Sequence, residues 1–378
     1  MADLNHPQQP NGPDSPNCPD SLSPGNPNDQ DLPVALNPTA GTESGPGVLL
    51  LAHGDGGILT HELITGVFQK YLTAPELLAL TDAALLPGAA TIALTTDSFV
   101  VNPLFFPGGD IGKLAVAGTV NDLAVSGSKP KYLTAGFILE EGLDIALLER
   151  VVASMAATAE SCGVSLVTGD TKVVERGKGD GIYINTTGIG FKDGNAALGY
   201  DRIEPGDKIL LNGGIGEHGV AVLAERAGFT FDQTVVSDCT PLNTLITPLL
   251  ETFGSAVKFM RDPTRGGLAT TAKEIALSSG RDLLLEEAAI PLRAEVRGAT
   301  EFLGLDPLYL ANEGKIILIV AAPRADEIVR FLRRFPEGKR SAVIGEVRPG
   351  RGRVLLETPL GGTRLVDMLA GAPLPRIC

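Results

Sequence analysis

From about residue 47 onward the sequence alternates short apolar runs with helical stretches of small residues, and that alternation confines the chain to a mixed α and β fold. Thr91 to Val101, rich in Thr, Ile and Val and broken by Asn102-Pro103, predicts a strand. Ile111 to Ser126, with Leu114, Ala117, Val120 and Ala124 on one stripe, predicts a helix. Strands follow over 133–140, 164–174 and 182–191, with a helix over 145–161. The pattern restarts at Lys208-Ile-Leu-Leu-Asn212, passes a glycine turn into a helix ending at Ala227, and continues with a helix over 266–279. Strands over 283–285, 315–321, 342–347 and 353–356 complete it. Pro205-Gly206 marks a boundary, so the reading is α+β with domains over 47–200 and 201–370. Residues 1–46 hold ten of the 27 prolines without apolar periodicity, which predicts a disordered tail.

Charge and composition narrow the function. A net charge of −14 on 378 residues argues against nucleic acid, which is bound through clustered Lys and Arg. No apolar run is long enough to span a bilayer, and Met1 to Pro7 lacks a basic flank, so the expectation is a cytoplasmic protein with no membrane contact. Four cysteines, at 18, 162, 239 and 378, have no metal-ligand spacing and read as reduced thiols.

Three familiar signatures fail. Gly214-Ile-Gly216-Glu-His-Gly219 has dinucleotide-fingerprint spacing, but 46 glycines produce such spacing easily. Gly108-Gly-Asp-Ile-Gly112-Lys113-Leu114 is one residue short of a phosphate loop and lacks the Ser or Thr after lysine. His61-Glu62 has only the first half of a zinc-protease helix.

Dispersed acids in glycine-rich settings remain: Asp97 near a strand end, Asp122 in an apolar helix, Asp170 in Thr168-Gly-Asp-Thr171-Lys172, interrupting a strand, and Asp262 in Arg261-Asp-Pro-Thr-Arg265-Gly-Gly267. One such acid is usually a cap or a solvated side chain, but several hard carboxylates from separate segments are what a magnesium-nucleotide site requires. The second signal is Pro373-Leu-Pro375-Arg-Ile-Cys378, which reads as a thiol on an exposed, semi-rigid arm over 371–378, suited to carrying a covalent group.

The stretches Thr95 to Lys113, Asn121 to Gly127, Gly136 to Gly142, Thr168 to Val174, Asp262 to Gly267, Ala311 to Lys315 and Pro375 to Cys378 closely resemble the HypE family of hydrogenase maturation proteins. The chain also looks like the wider group of aminoimidazole ribonucleotide and selenophosphate synthetases. The resemblance implies a two-domain PurM-like architecture: an amino-terminal sheet domain that pairs in a homodimer and a carboxy-terminal α/β sandwich. It implies ATP and Mg2+ as cofactors, a carbamoyltransferase of the HypF type that loads Cys378, and an iron-carrying scaffold of the HypC-HypD type that receives cyanide. The implied reaction is ATP-dependent dehydration of the S-carbamoyl group to a thiocyanate. Carried over by motif, Asp82, Asp97, Asp122 and Asp262 would hold magnesium. Lys113, Asn121, Asp170 and Thr171 would join Asp97, Asp122 and Asp262 around the nucleotide. Lys172 would neutralise phosphate charge and Glu313 would accept a proton from nitrogen. The 1–46 tail and Asp55 depart from the family pattern. The alternatives are another amide-activating ligase of this superfamily or a nucleotide-binding scaffold.

Overall fold

A computed structural model describes residues 47–54, 58–78, 86–89, 91–192, 197–229, 233–368 and 376–378. The 1–46 tail, Asp55 and Asp82 lie outside the described residues. Pro46 to Cys378 cluster as a single compact unit.

The chain enters through helical pieces α1 (Ile58–Leu63), α2 (Gln69–Tyr71) and α3 (Pro75–Leu78). Strand β1 (Ile92–Phe99) follows, then the ribbon β2 (Phe105–Phe106) with β3 (Gly109–Asp110), helix α4 (Ile111–Val125), β4 (Lys129–Glu140), α5 (Ile145–Ser161), β5 (Ser165–Val174) and β6 (Ile182–Phe191). Four of these strands form a sheet in the order β1-β6-β4-β5, antiparallel except for the β4–β5 pair. Helix α4 is buried almost all round, which its uniformly small and apolar residues allow. Asp110 starts it by accepting from the amides of Gly112 and Lys113 at 2.8 and 3.2 Å. The outer face of this sheet is bare: Leu94 is 69% and Ile138 46% exposed.

The second sheet takes β7 (Lys208–Leu211), β8 (Val257–Arg261), β9 (Asp282–Glu286), β10 (Ile317–Val320), β11 (Ala342–Arg348), β12 (Val354–Glu357) and β13 (Thr363–Val366), in the order β13-β12-β9-β11-β7-β10-β8. Helices α6 (Glu217–Ala227), α7 (Asn243–Phe253), α8 (Gly267–Ser279), α9 (Ala294–Leu303) and α10 (Ala325–Leu332) accompany it. Side chains alternate across a strand, so Ile209, Leu211, Ile317 and Ile319 meet Ala272 and Ile275 of α8 on one face. Leu210, Leu318 and Val320 meet Leu249 of α7 and Ile328 of α10 on the other. Burial on both faces explains why these strands read as unbroken apolar runs.

Two features differ from the sequence reading. The 168–172 motif does not interrupt its strand: β5 runs through it, and a one-residue bulge at Val167, opposite Leu133 and Thr134, absorbs the irregularity. The helical entry over 58–78, β8, β13, α7, α9 and α10 were not anticipated; α7 carries Pro248 in its interior, which hides a helix from pattern reading.

Candidate active site

Five acids, Asp97, Asp122, Asp262, Glu274 and Glu313, line one cavity, and Glu274 is already paired with Arg261 at 2.8 Å. Thr95 and Asp97 share a face of β1, and the Thr95 hydroxyl donates to Asp122 Oδ2 on α4 at 2.9 Å. Gly118 and Asp122 are four residues apart on α4, hence on one side of it. With Asp97, Asp262, Arg265, Glu313 and Cys378 they line a cavity of about 340 Å³. A Cβ at Gly118 would stand 3.0 Å from the Phe99 ring, so glycine is needed for the helix to approach. Gly267 is left-handed at φ 60°, and a Cβ there would meet the carbonyls of Leu308 and Leu310 at 2.5 Å. That glycine lets the segment after β8 fold tightly and start α8 beside the cavity, with the Gly267 amide donating to the Thr264 carbonyl at 3.0 Å.

Burial and mutual repulsion raise these acids. Asp97 is pushed up to about 6, first by burial and then by Asp122, with Arg265 opposing. Asp262 reaches about 7, again through burial and then Asp122. Burial also raises Asp122, against the hydrogen bond from Thr95. Glu313 lies well above the usual carboxylate range because of burial, then Asp238 and Asp262, and its Oε1 is buried with no hydrogen-bond partner. Hard oxygens so poorly compensated fit a divalent cation. Among the described residues no three His, Cys, Asp or Glu side chains form a closed cage.

Cys378 does not sit on an exposed arm at its described end. The amides of Val100 and Asn102 donate to the carbonyls of Cys378 and Arg376 at 3.2 and 3.3 Å, and Ile377 is buried in the amino-terminal core. Backbone pairing and one buried apolar side chain hold residues 376–378 against the amino-terminal core. Burial, then Glu313, pushes the Cys378 thiol up to about 12.

Residues 80–191 match the AIR synthase related protein N-terminal domain and residues 204–357 the AIR synthase related protein C-terminal domain. Over 336 residues the chain is 50% identical to the carbamoyl dehydratase HypE of Azotobacter vinelandii, covering 88% of this chain and 98% of that protein. The chain belongs to the HypE carbamoyl dehydratase family. A crystal structure of HypE in complex with ATP superposes with a TM-score of 0.85 at 50% identity, covering 87% of this chain and all of that one. A crystal structure of a HypE-HypF complex gives 0.72 at 45% identity over 83% of this chain and 100% of that one.

The remaining HypE-motif residues fall in different places. Lys113 Nζ donates to the Gly108 carbonyl at 2.8 Å, closing its own loop. Asn121 is buried: it donates to the carbonyls of Thr240 and Glu313 at 3.1 and 3.3 Å and accepts from the Leu242 amide at 2.7 Å. Both side chains act as struts in this chain. Lys172 pairs with the Asp170 carboxylate at 2.7 and 2.8 Å and is exposed on β5. Strands β5 and β1 are opposite edges of the sheet, so Lys172 and Asp97 stand on opposite edges of it. Asp170 and Thr171 line a second cavity of about 230 Å³, whose apolar wall includes Ile64, Phe68, Leu77 and Phe137.

Several residues that matter to this HypE-type site carried little sequence signal. Asp238 accepts from the amides of Glu313 and Gly314 at 3.2 and 3.0 Å and from Lys315 Nζ at 2.9 Å, while Lys315 also meets Glu217 at 3.0 Å. This buried triad fixes the backbone that carries Glu313. Asn312 Oδ1 accepts from the Gly216 amide at 2.7 Å, so a side chain occupies the start of α6 where a dinucleotide fingerprint would hold pyrophosphate. Arg261 and Arg265 flank Asp262 in its motif and could have been read there.

Proposed function

We propose that this chain uses ATP to dehydrate an S-carbamoyl group on its own Cys378 to a thiocyanate, which supplies the cyanide ligand of [NiFe] hydrogenase iron. The observation that carries this is Cys378 docked in the cavity that holds Asp97, Asp122, Asp262 and Glu313.

A carbamoyl oxygen cannot leave as oxide, so it must first be phosphorylated. The oxygen attacks the γ-phosphorus of ATP, the bond from that phosphorus to the bridging oxygen breaks, and ADP departs as the nitrogen gives up one proton. The carbon-oxygen bond then breaks, phosphate leaves, and loss of the second N–H proton completes the carbon-nitrogen triple bond. Glu313, whose buried Oε1 has no hydrogen-bond partner in the cavity, is the acceptor for a nitrogen proton. Asp97, Asp122 and Asp262 would hold Mg2+, which when bound offsets triphosphate charge. Arg261 and Arg265 line the same cavity and orient anionic oxygens. A thiol near 12 is not a nucleophile at neutral pH, so loading by a HypF-type carbamoyltransferase takes Cys378 out of the cavity and dehydration takes it back.

Lys172 enters through a homodimer. The bare outer face of the first sheet, with Ile92, Leu94 and Ile138 exposed, supports sheet pairing between two copies, and Lys172 of one copy then serves the acids of the other. An iron-carrying scaffold of the HypC-HypD type takes the cyanide. Among the described residues no helix is long and apolar enough to cross a membrane. Cyanide release is measured with carbamoyl phosphate, ATP and the transferase: the wild-type chain releases it, and release by Cys378→Ala would end this reading.

A further inference from the structure

The docked terminal residues are held from two sides. On one side the carbonyls of Arg376 and Cys378 take the amides of Asn102 and Val100. The carbonyl between them, that of Ile377, turns the other way and meets His218 Nε2 at 2.7 Å. A carbonyl only accepts, so Nε2 carries the hydrogen and Nδ1 accepts from the Ser237 hydroxyl at 2.8 Å. Ser237 Oγ in turn accepts from the Cys239 amide at 3.1 Å, and the Phe106 ring stands edge-on to the imidazole at 5.3 Å. The imidazole is thus fixed in plane and tautomer, and burial favours its neutral form. Two turns further along α6, Arg226 spans the gap, donating through Nε to the Asn102 carbonyl at 2.7 Å and through Nη2 to the Arg376 carbonyl. Arg376 is also the one non-glycine residue among those described with a left-handed backbone, at φ 53°, a conformation that persists only when surroundings hold it.

We infer that His218, backed by Arg226, is a positioning residue that sets the register of the terminal segment and so aims Cys378 into the acid cavity. Register decides the outcome because a one-residue slip along an extended pair turns every side chain to the opposite face. Here a slip would take the sulfur away from Glu313 and the acids. Neither residue touches the reacting atoms. The catalytic consequence rests on the reading of Cys378 as carrier; the docking itself does not.

The test separates the two. His218→Leu and Arg226→Met are compared with the wild type and with His218→Gln, whose amide retains a donor. Each is first checked for an unchanged melting transition and ATP affinity. Cys378 alkylation by iodoacetamide, followed by mass mapping of the terminal peptide, reads docking directly. The expected result is alkylation about tenfold faster in His218→Leu and Arg226→Met, the size of one lost hydrogen bond, with partial restoration in His218→Gln. Carbamoylation should be retained and thiocyanate formation should fall in the same variants. Unchanged alkylation in either folded variant overturns the inference, and so does faster alkylation with undiminished thiocyanate formation. If the wild type forms no thiocyanate, the functional reading fails while the alkylation result still decides the docking.

Discussion

Val100 donates its amide hydrogen to the carbonyl of Cys378 at 3.2 Å, which ties the thiol-bearing residue to the chain three positions after Asp97. Thiol and acid therefore share one local frame. The thiol-bearing residue reaches the acids by strand-like pairing just beyond the end of β1.

Glu313→Gln should leave ATP binding and carbamoylation of Cys378 intact while lowering the rate of thiocyanate formation by about 10²–10⁴, the usual contribution of a positioned base. Single-turnover mass analysis of carbamoyl-loaded protein measures it. A rate within a factor of about two of wild type would remove Glu313 from the reaction.

The acid cavity makes stability fall with pH when no cation is bound. Asp97 and Asp262 bind protons more tightly folded than unfolded, so their contribution is full below about pH 3.8. It is lost as pH rises through about 6 for Asp97 and about 7 for Asp262. Metal-free protein should thus melt lower at about pH 8 than at about pH 5, Asp262→Asn should flatten that drop, and Mg2+ with ATP should reverse it. An equal drop in wild type and Asp262→Asn would contradict the assignment of the repulsion to this cluster.

Lys172→Ala should barely move the melting temperature, since an exposed ion pair is worth about 0–1 kcal/mol, yet it should slow thiocyanate formation. Mixing Lys172→Ala subunits with Glu313→Gln subunits should recover activity that neither has alone, because one site of each mixed dimer regains both residues. No recovery would place both groups in the same subunit's site or remove Lys172 altogether.

Lys315→Met leaves Asp238 buried without its cation and Glu217 with only the longer contact to Arg293 at 3.9 Å, a loss of about 3–5 kcal/mol by the usual cost of breaking a buried pair. Urea unfolding should show it. A change below about 1 kcal/mol would mean that the triad does not brace the Glu313 backbone.

Much of this was legible in the sequence, and the reasons for the rest are physical. Strands β1 and β6 and helices α4 and α5 could be placed because their patterns are long and unbroken. Glu313 came only from the family resemblance and Asp170 lines the other cavity, but Asp97, Asp122 and Asp262 stood out through their glycine and small-residue settings. Their convergence did not, because it depends on α4 crossing between the first sheet and the segments after β8. The hydrogen bonds of Lys113 and Asn121 to distant and local backbone groups were likewise invisible in their motifs, since they depend on packing in three dimensions. The docking of Ile377 was hidden because the prolines before it read as an exposed arm, and its partner His218 sits more than a hundred residues away.

The central claim is that Cys378 carries the carbamoyl group through dehydration. Incubating the chain with carbamoyl phosphate and the transferase, then adding ATP and Mg2+, and weighing the terminal peptide before and after, tests it directly. A carbamoyl adduct on Cys378 that becomes one water lighter only when ATP is present is the predicted result. An adduct on Cys378 that never loses water, or a modified peptide elsewhere in the chain, would contradict it.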